Sequence, residues 1–237
     1  PAIEKRWITY GLHSQCDVTA RGIRLDGLNS SFEAFSQGRR LGKISLQVPG
    51  LHNVLNALAG VTVGLELDIE FPVIQQALKD FAGVARRFQV KGILPRDIML
   101  VDDYGHHPTE VMVTLKAAKD AFDRRLVVIF QPHRYTRTQF LLSEFFRAFH
   151  QADVLVVTEI YPAGEEEIPG ISGSLIVQGV KERGHREAYF VKRKEDICDL
   201  AMELIEEKDL VLTLGAGDIW RVGEELAERL KAEGGNP

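Results

Sequence analysis

Cysteine is scarce in this chain: Cys16 and Cys198 are the two present among 237 residues, far apart and outside any Cys-x-x-Cys pair. That argues against a disulfide framework or a thiolate zinc site, and for a reducing compartment holding two inert, buried thiols. Long apolar runs are missing as well. None approaches the roughly 18 residues of a membrane-spanning helix, and Pro1–Arg6 lacks the apolar segment of a secretory signal. Nor is positive charge in excess, since 29 Lys and Arg against 34 Asp and Glu leave a formal charge of -5; no basic stripe awaits a phosphodiester backbone. Composition therefore predicts a soluble cytoplasmic protein with no nucleic-acid and no membrane partner. Also absent is Gly-x-x-x-x-Gly-Lys-Ser/Thr, the loop whose amides and lysine cradle nucleotide phosphates. The first residue is not Met, and the strand-like Trp7-Ile8-Thr9-Tyr10 follows almost at once, so the chain reads as cut rather than begun.

With 45% hydrophobic residues the chain can bury one large core or two modest ones, and its length leans toward two domains. Residues 5 to 48 read as short strands, with approximate alternation in Val18–Ile23, Ser31–Phe35 and Lys43–Val48 between turn-rich spacers. Two helices follow: Leu51, Leu55, Leu58, Val61 and Leu65 recur at helical spacing, as do Phe71, Ile74, Leu78 and Phe81. From about Val90 short apolar runs alternate with amphipathic stretches. Strands are expected at Ile98–Val101, Leu126–Phe130, Val154–Val157, Ala188–Val191 and Leu210–Leu214, and helices at Glu110–Phe122, Phe140–Phe149, Leu175–Arg183, Ile197–Glu206 and Ile219–Lys231. That is the pattern of a doubly wound α/β domain of parallel strands and crossover helices. The boundary is expected in Gly83–Phe88, giving domains 1–87 and 88–237.

Four constellations carry chemistry. In Pro49-Gly50-Leu51-His52-Asn53-Val54-Leu55-Asn56, a helix opens with His52, Asn53 and Asn56 in its first turns, where free amides and the helix dipole favour an anion or a polar ring. The plainer reading, an Asn53 cap with His52 packed locally, outweighs ligand binding for this motif alone. Arg86 and Arg87 put two fixed cations at the junction, suited to a phosphate or to a surface ion pair. Asp102-Asp103-Tyr104-Gly105-His106-His107-Pro108-Thr109-Glu110 follows a strand and leads into a helix, where open α/β sheets bind ligands. Adjacent His106 and His107 point apart, so no metal site is expected there. Gln131-Pro132-His133-Arg134-Tyr135-Thr136-Arg137-Thr138 repeats the arrangement with a cationic cluster of His133, Arg134 and Arg137 fit for a carboxylate or phosphate. Leu214-Gly215-Ala216-Gly217-Asp218-Ile219 is a tight turn with Asp218 as its expected cap, short of a dinucleotide fingerprint.

The ordered series GLHNVLNALA, GVARRFQ, DDYGHHPTE, PHRYTRT and LGAGDI resembles the Mur ligase family over about Tyr10 to Leu230. DDYGHHPTE with PHRYTRT is similar to the branch that adds alanine. The resemblance implies the C-terminal part of a central ATPase domain, followed by a Rossmann-like domain for the incoming amino acid. It implies ATP-dependent joining of L-alanine to UDP-N-acetylmuramate through an acyl phosphate, with ATP and Mg2+ as cofactors. The phosphate loop and the metal ligands are expected upstream, so the chain alone is expected to be inactive. By resemblance His52, Asn53 and Asn56 meet adenine, Arg87 reaches the phosphates, and Asp103 holds the ribose or the nucleotide side. His106, His133, Arg134 and Arg137 face alanine and the acyl phosphate, with Arg87, His106, His133 and Arg134 counted as catalytic. A truncated central portion is expected to be disordered or self-associating over residues 1 to 48. The alternatives are a non-catalytic α/β binding or regulatory module and, more weakly, a NAD-dependent oxidoreductase built on the glycine turn.

Overall fold

The computed structural model describes residues 7–234. These divide into two units, one reaching to Gly83 and including 120–122, the other comprising 84–119 and the residues from Asp123 onward.

The first unit is a four-stranded sheet in the order β1 (Tyr10–Gly11), β2 (Val18–Asp26), β3 (Asn29–Ser36) and β4 (Arg39–Leu46). β1 joins β2 in parallel, while β2, β3 and β4 form antiparallel hairpins. Alternation explains the register. Phe32, Ala34, Ile44 and Leu46 are buried on one face, and Ser31, paired across the strands with Arg24 and Ser45, lies on the other. The β3–β4 turn places Gln37 and Gly38 at φ 47° and 78°, the mirror-image turn that suits the strands' right-handed twist and that glycine adopts without steric cost. Helices α1 (Leu51–Glu66) and α2 (Phe71–Asp80) lay Val54, Leu58, Val61 and Ile74 on the inner face. Full burial of a side chain such as Leu58 or Phe32 contributes about 1.5 to 3 kcal/mol. The expected disorder is therefore not found across Tyr10–Leu46, because α1 and α2 cover the apolar face; residues 1–6 lie outside the described residues.

The second unit contains β5 (Gln89–Leu94), β6 (Ile98–Asp103), α3 (Pro108–Ala121), β7 (Leu126–Phe130), α4 (Tyr135–Phe140), α5 (Leu142–Ala148) and β8 (Val154–Thr158). It continues with α6 (Ser174–Glu182), β9 (Ala188–Val191), α7 (Ile197–Leu204), β10 (Leu210–Leu214) and α8 (Trp220–Gly234). Its six strands run in the order β5-β6-β10-β7-β8-β9. From β6 to β9 all pairings are parallel, and every residue of β6, β7, β8 and β10 is buried, as strands covered on both faces must be.

Three details depart from the sequence expectation. The edge strand β5, absent from the expected set, pairs antiparallel with β6; a single 3-10 turn, Pro95–Asp97, joins them and is too short for a parallel crossover. The helix expected over Phe140–Phe149 is α5, and it is preceded by an unexpected short helix, α4, from which it is divided where Leu141 leaves helical geometry at φ -111° and ψ 21°. Asp102 and Asp103 are the last residues of β6 and are buried, rather than loop residues beyond it.

The last strand in sequence, β10, inserts between β6 and β7, with Leu214 level with both Asp103 and Phe130. Three connecting turns of distant sequence origin therefore emerge side by side at one sheet edge. No helix among the described residues is long and apolar enough to cross a membrane.

Candidate functional site

At that carboxyl edge four rings form a continuous row. Tyr104 meets His106 edge-on at 5.5 Å between centroids, His106 lies 5.5 Å from His133, and Tyr161 stacks on His133 at 5.5 Å with 12° between planes. Tyr161 is held by backbone: its N–H donates to the Pro132 carbonyl, and its own carbonyl accepts from the Arg134 N–H, both at 2.8 Å. Glycine makes room for the ring, since a Cβ at Gly217 would lie 2.7 Å from Tyr161 Cγ.

The partners of the ring nitrogens assign the tautomer of each imidazole in the row. A guanidinium only donates, so at 3.2 Å Arg137 Nη1 makes His133 Nδ1 an acceptor and leaves the proton of neutral His133 on Nε2. A carbonyl only accepts. At 3.0 Å the Tyr104 carbonyl therefore fixes the proton of His106 on Nδ1, leaving a free lone pair on Nε2. Both rings are biased toward the neutral form. Burial pushes the His133 pKa down to about 4, with His106, Arg137 and Arg134 adding to the effect; burial likewise lowers that of His106, against the pull of the Tyr104 carbonyl and Glu110.

Arg134 is exposed, and its guanidinium makes no hydrogen bond or ion pair with any described residue. Its backbone sits at φ 73° and ψ 133°, a region that costs a residue with a Cβ about 1 to 3 kcal/mol. Strain and an unused cation coincide at one residue.

Arg87 lies on the surface, 3.4 Å from Glu110 and 5.5 Å above the Tyr104 ring. Arg86 is different: it donates to Asp102 at 2.9 Å and to the Gly217 and Gly215 carbonyls at 3.1 and 2.6 Å. It therefore ties β6 to the β10 turn. Asp103 is 4% exposed, and its two oxygens accept the Phe88 and Gly105 amides at 2.8 and 2.7 Å; burial raises its pKa. It thus works beneath the surface. His107 turns away from the row, with Nδ1 accepting the Thr109 amide at 3.2 Å.

In the first unit, His52, Asn53 and Asn56 sit in the opening turns of α1. Asn53 is not the cap, a position occupied by Gly50 without a side-chain bond; instead Asn53 Nδ2 donates to the Pro49 carbonyl at 2.8 Å. Asn56 is exposed and donates to Asn53 Oδ1 at 3.3 Å. Asp218 does not cap by its side chain either, because its carboxylate receives Gln131 at 3.1 Å and an ion pair from Lys194.

Sequence reasoning missed Tyr161, Lys194 and Gln131 as partners of the site. Their signal was faint: polar residues just past β7, β8 and β9 in positions equivalent to those already singled out. Among the described residues no group of three His, Cys, Asp or Glu side chains suits a metal ion.

The parallel sheet with one antiparallel border and polar residues at its strand ends defines an open α/β domain. The family model for the Mur ligase, glutamate ligase domain matches residues 86–217, and the chain belongs to the Mur ligase family. Its relatives include a UDP-N-acetylmuramate--L-alanine ligase of Geotalea daltonii, 52% identical over 231 residues that make up 98% of this chain and 50% of the relative. A solved UDP-N-acetylmuramate-alanine ligase from Thermotoga maritima superposes with a TM-score of 0.81 at 32% identity, covering 95% of this chain and 48% of that one. A murein peptide ligase from Psychrobacter arcticus shares the fold at TM-score 0.66 and 22% identity, over 95% and 46% of the two chains. The chain spans about half the length of the curated relatives it matches.

Proposed function

We propose that the chain is the amino-acid-receiving half of an ATP-dependent ligase that joins L-alanine to UDP-N-acetylmuramate in peptidoglycan precursor synthesis. On this reading residues 1–87 are the C-terminal part of a central ATP-binding domain and 88–237 the amino-acid-binding domain. The observation that carries it is the assortment of donors and acceptors around the ring row. Arg134, Arg137 and His133 Nε2–H are donors fit for a carboxylate or an acyl phosphate, and His106 Nε2 is an acceptor fit for an amine. An α-amino acid presents that pair of groups.

In the reaction the muramoyl carboxylate attacks the γ-phosphate of ATP, and the alanine amine then attacks the acyl phosphate and expels phosphate. Such chemistry rests on positioning and charge neutralisation. Arg134 and Arg137 orient the alanine carboxylate, the His106 lone pair receives the amine proton as the amide forms, and His133 donates to the carbonyl or phosphate oxygen. Arg87 meets phosphate from the start of the second unit. His52, Asn53 and Asn56 offer an amide edge to adenine. Asp103 serves the nucleotide side by holding the Phe88 and Gly105 amides, and through them Arg87 and His106. No group of three His, Cys, Asp or Glu side chains gathers to hold a metal among the described residues, so the ligands of Mg2+ are placed by this reading in another segment of the protein and no step here involves it.

The test joins the native remainder of the protein to this chain and follows phosphate release with ATP, magnesium, UDP-N-acetylmuramate and a panel of amino acids. Release should require both the sugar nucleotide and L-alanine. Release with no amino acid dependence, or none at all, sinks the ligase reading and favours a binding module. In the same protein, Arg137→Ala should raise the alanine KM; unchanged alanine affinity and turnover would remove Arg137 from the site.

A further inference from the structure

Glu110 lies in the first turn of α3 and has no role in the reaction just described, yet it meets two of that reaction's components, His106 and Arg87. Its Oε2 accepts the backbone amides of His106 and His107 at 3.0 and 3.1 Å, and lies 3.7 Å from His106 Nδ1. Its Oε1 meets Arg87 Nη1 at 3.4 Å. The two kinds of contact differ in strength. The amide bonds are two, of ordinary length and charge-assisted, at a helix start whose dipole favours the carboxylate. The arginine contact is long and lies between side chains 49% and 35% exposed, where an ion pair is weak and easily exchanged.

We propose that Glu110 is a positioning residue: it fixes the His106–His107 turn rigidly and holds Arg87 loosely, releasing the arginine when a phosphate-bearing anion arrives. By lying near Nδ1 the carboxylate also favours the tautomer that keeps the proton there, so the His106 Nε2 lone pair stays directed away from the turn. The amides of the His106–His107 turn keep Glu110 ionised, together with the charge of Arg87, against a burial effect that opposes it. Glu110 thereby supplies the device by which one carboxylate sets an acceptor and stores a cation for the same reaction. The inference rests on the reading of His106 and Arg87 as substrate-facing groups.

The test uses this chain itself and NMR, comparing the native protein with Glu110→Gln and Glu110→Ala. His106 faces the Tyr104 carbonyl and ring, Glu110, Arg87, Arg137 and His133. Removing the Glu110 charge from that set should move the His106 titration midpoint down in Glu110→Gln. Inorganic pyrophosphate, followed at the Arg87 side-chain N–H signal, should half-saturate at a concentration about threefold lower in Glu110→Gln, the size expected when a weak exposed pair no longer competes. In Glu110→Ala the His106 and His107 amides should exchange with solvent faster, on the order of tenfold. Glu110→Gln keeps an acceptor oxygen, so a fold lost in the alanine variant leaves the first two measurements standing. An unmoved His106 midpoint, or an unchanged pyrophosphate concentration at Arg87, overturns the proposal. None of these readouts depends on turnover, so loss of the ligase reading in the joined protein would be seen separately, as phosphate release indifferent to alanine.

Discussion

The two edges of the second unit's sheet treat charge differently. At the amino edge three cations are matched by carboxylates. Arg125 pairs with Asp209 at 2.9 Å, Lys119 with Asp153 at 2.5 Å, and Arg124 with Asp97 at 3.1 Å. Asp209, 1% exposed, also accepts the Glu206 amide at 2.8 Å, so the charge that stays buried there is satisfied. At the carboxyl edge, Arg134 pairs with nothing described, and Arg137 touches only His133, through the ring and the backbone carbonyl. The amino edge closes these charges in ion pairs, whereas the carboxyl edge mixes closed pairs, Arg86 with Asp102 and Lys194 with Asp218, with the open cations Arg134 and Arg137. Paired charge holds strand ends together, whereas Arg134 carries an unpaired charge beside strained backbone.

Breaking the closed edge should cost most. Arg125→Ala leaves the Asp209 carboxylate buried without its partner, and the expected loss is about 3 kcal/mol, read from urea unfolding; a loss below that of an ordinary surface substitution would show the two edges to be alike. Gly217→Ala strikes the open edge through shape, since the added methyl meets the Tyr161 ring. It should destabilise by about 1 to 3 kcal/mol and abolish the Tyr161–His133 ring contact seen in nuclear Overhauser spectra.

Arg134→Gly should have the opposite sign. Glycine accepts the backbone geometry without a Cβ clash, so net stability should rise by about 1 kcal/mol after the entropic cost of glycine, while alanine-dependent phosphate release in the joined protein falls. Stability and function then move apart at one residue, which is the sharpest form of the contrast.

The smallest effect concerns pH. A histidine whose pKa is lowered in the folded protein binds its proton more readily when unfolded, so stability falls as pH drops below the ordinary histidine value of about 6.5. For His133 the loss should continue to about pH 4, where the folded ring itself titrates. Arg137→Ala removes a neighbouring cation and should raise the His133 midpoint, as read from its ring proton shifts; a midpoint unmoved would place the cause in burial alone.

Much of the fold was legible because buried strands and amphipathic helices leave periodic traces. Ala188–Val191 and Leu210–Leu214 stand where the apolar runs put them. β5 was not legible, since Gln89–Leu94 is an edge strand of mixed exposure with no continuous apolar run. The break at Leu141 was hidden too, because leucine carries no helix-stopping signal of its own. In the site, His106, His133, Arg134 and Arg137 were visible as polar residues just beyond apolar strands. Asp103 looked like another of them, and it is buried because the β6 ladder extends two residues farther than the apolar run. Tyr161 was invisible: it lies 28 positions beyond His133, and only the parallel bridge between those two residues brings the rings together.

The sequence by itself determined the α/β class, the likeness to the Mur ligases and the chemical types gathered at the strand ends, because hydrophobic periodicity and side-chain chemistry are local properties. Tertiary structure alone decided which charges are closed and which open, and which ring nitrogens of His106 and His133 face a donor or an acceptor. Those depend on distances between segments that the insertion of β10 between β6 and β7 brings side by side, and no spacing along the chain encodes them.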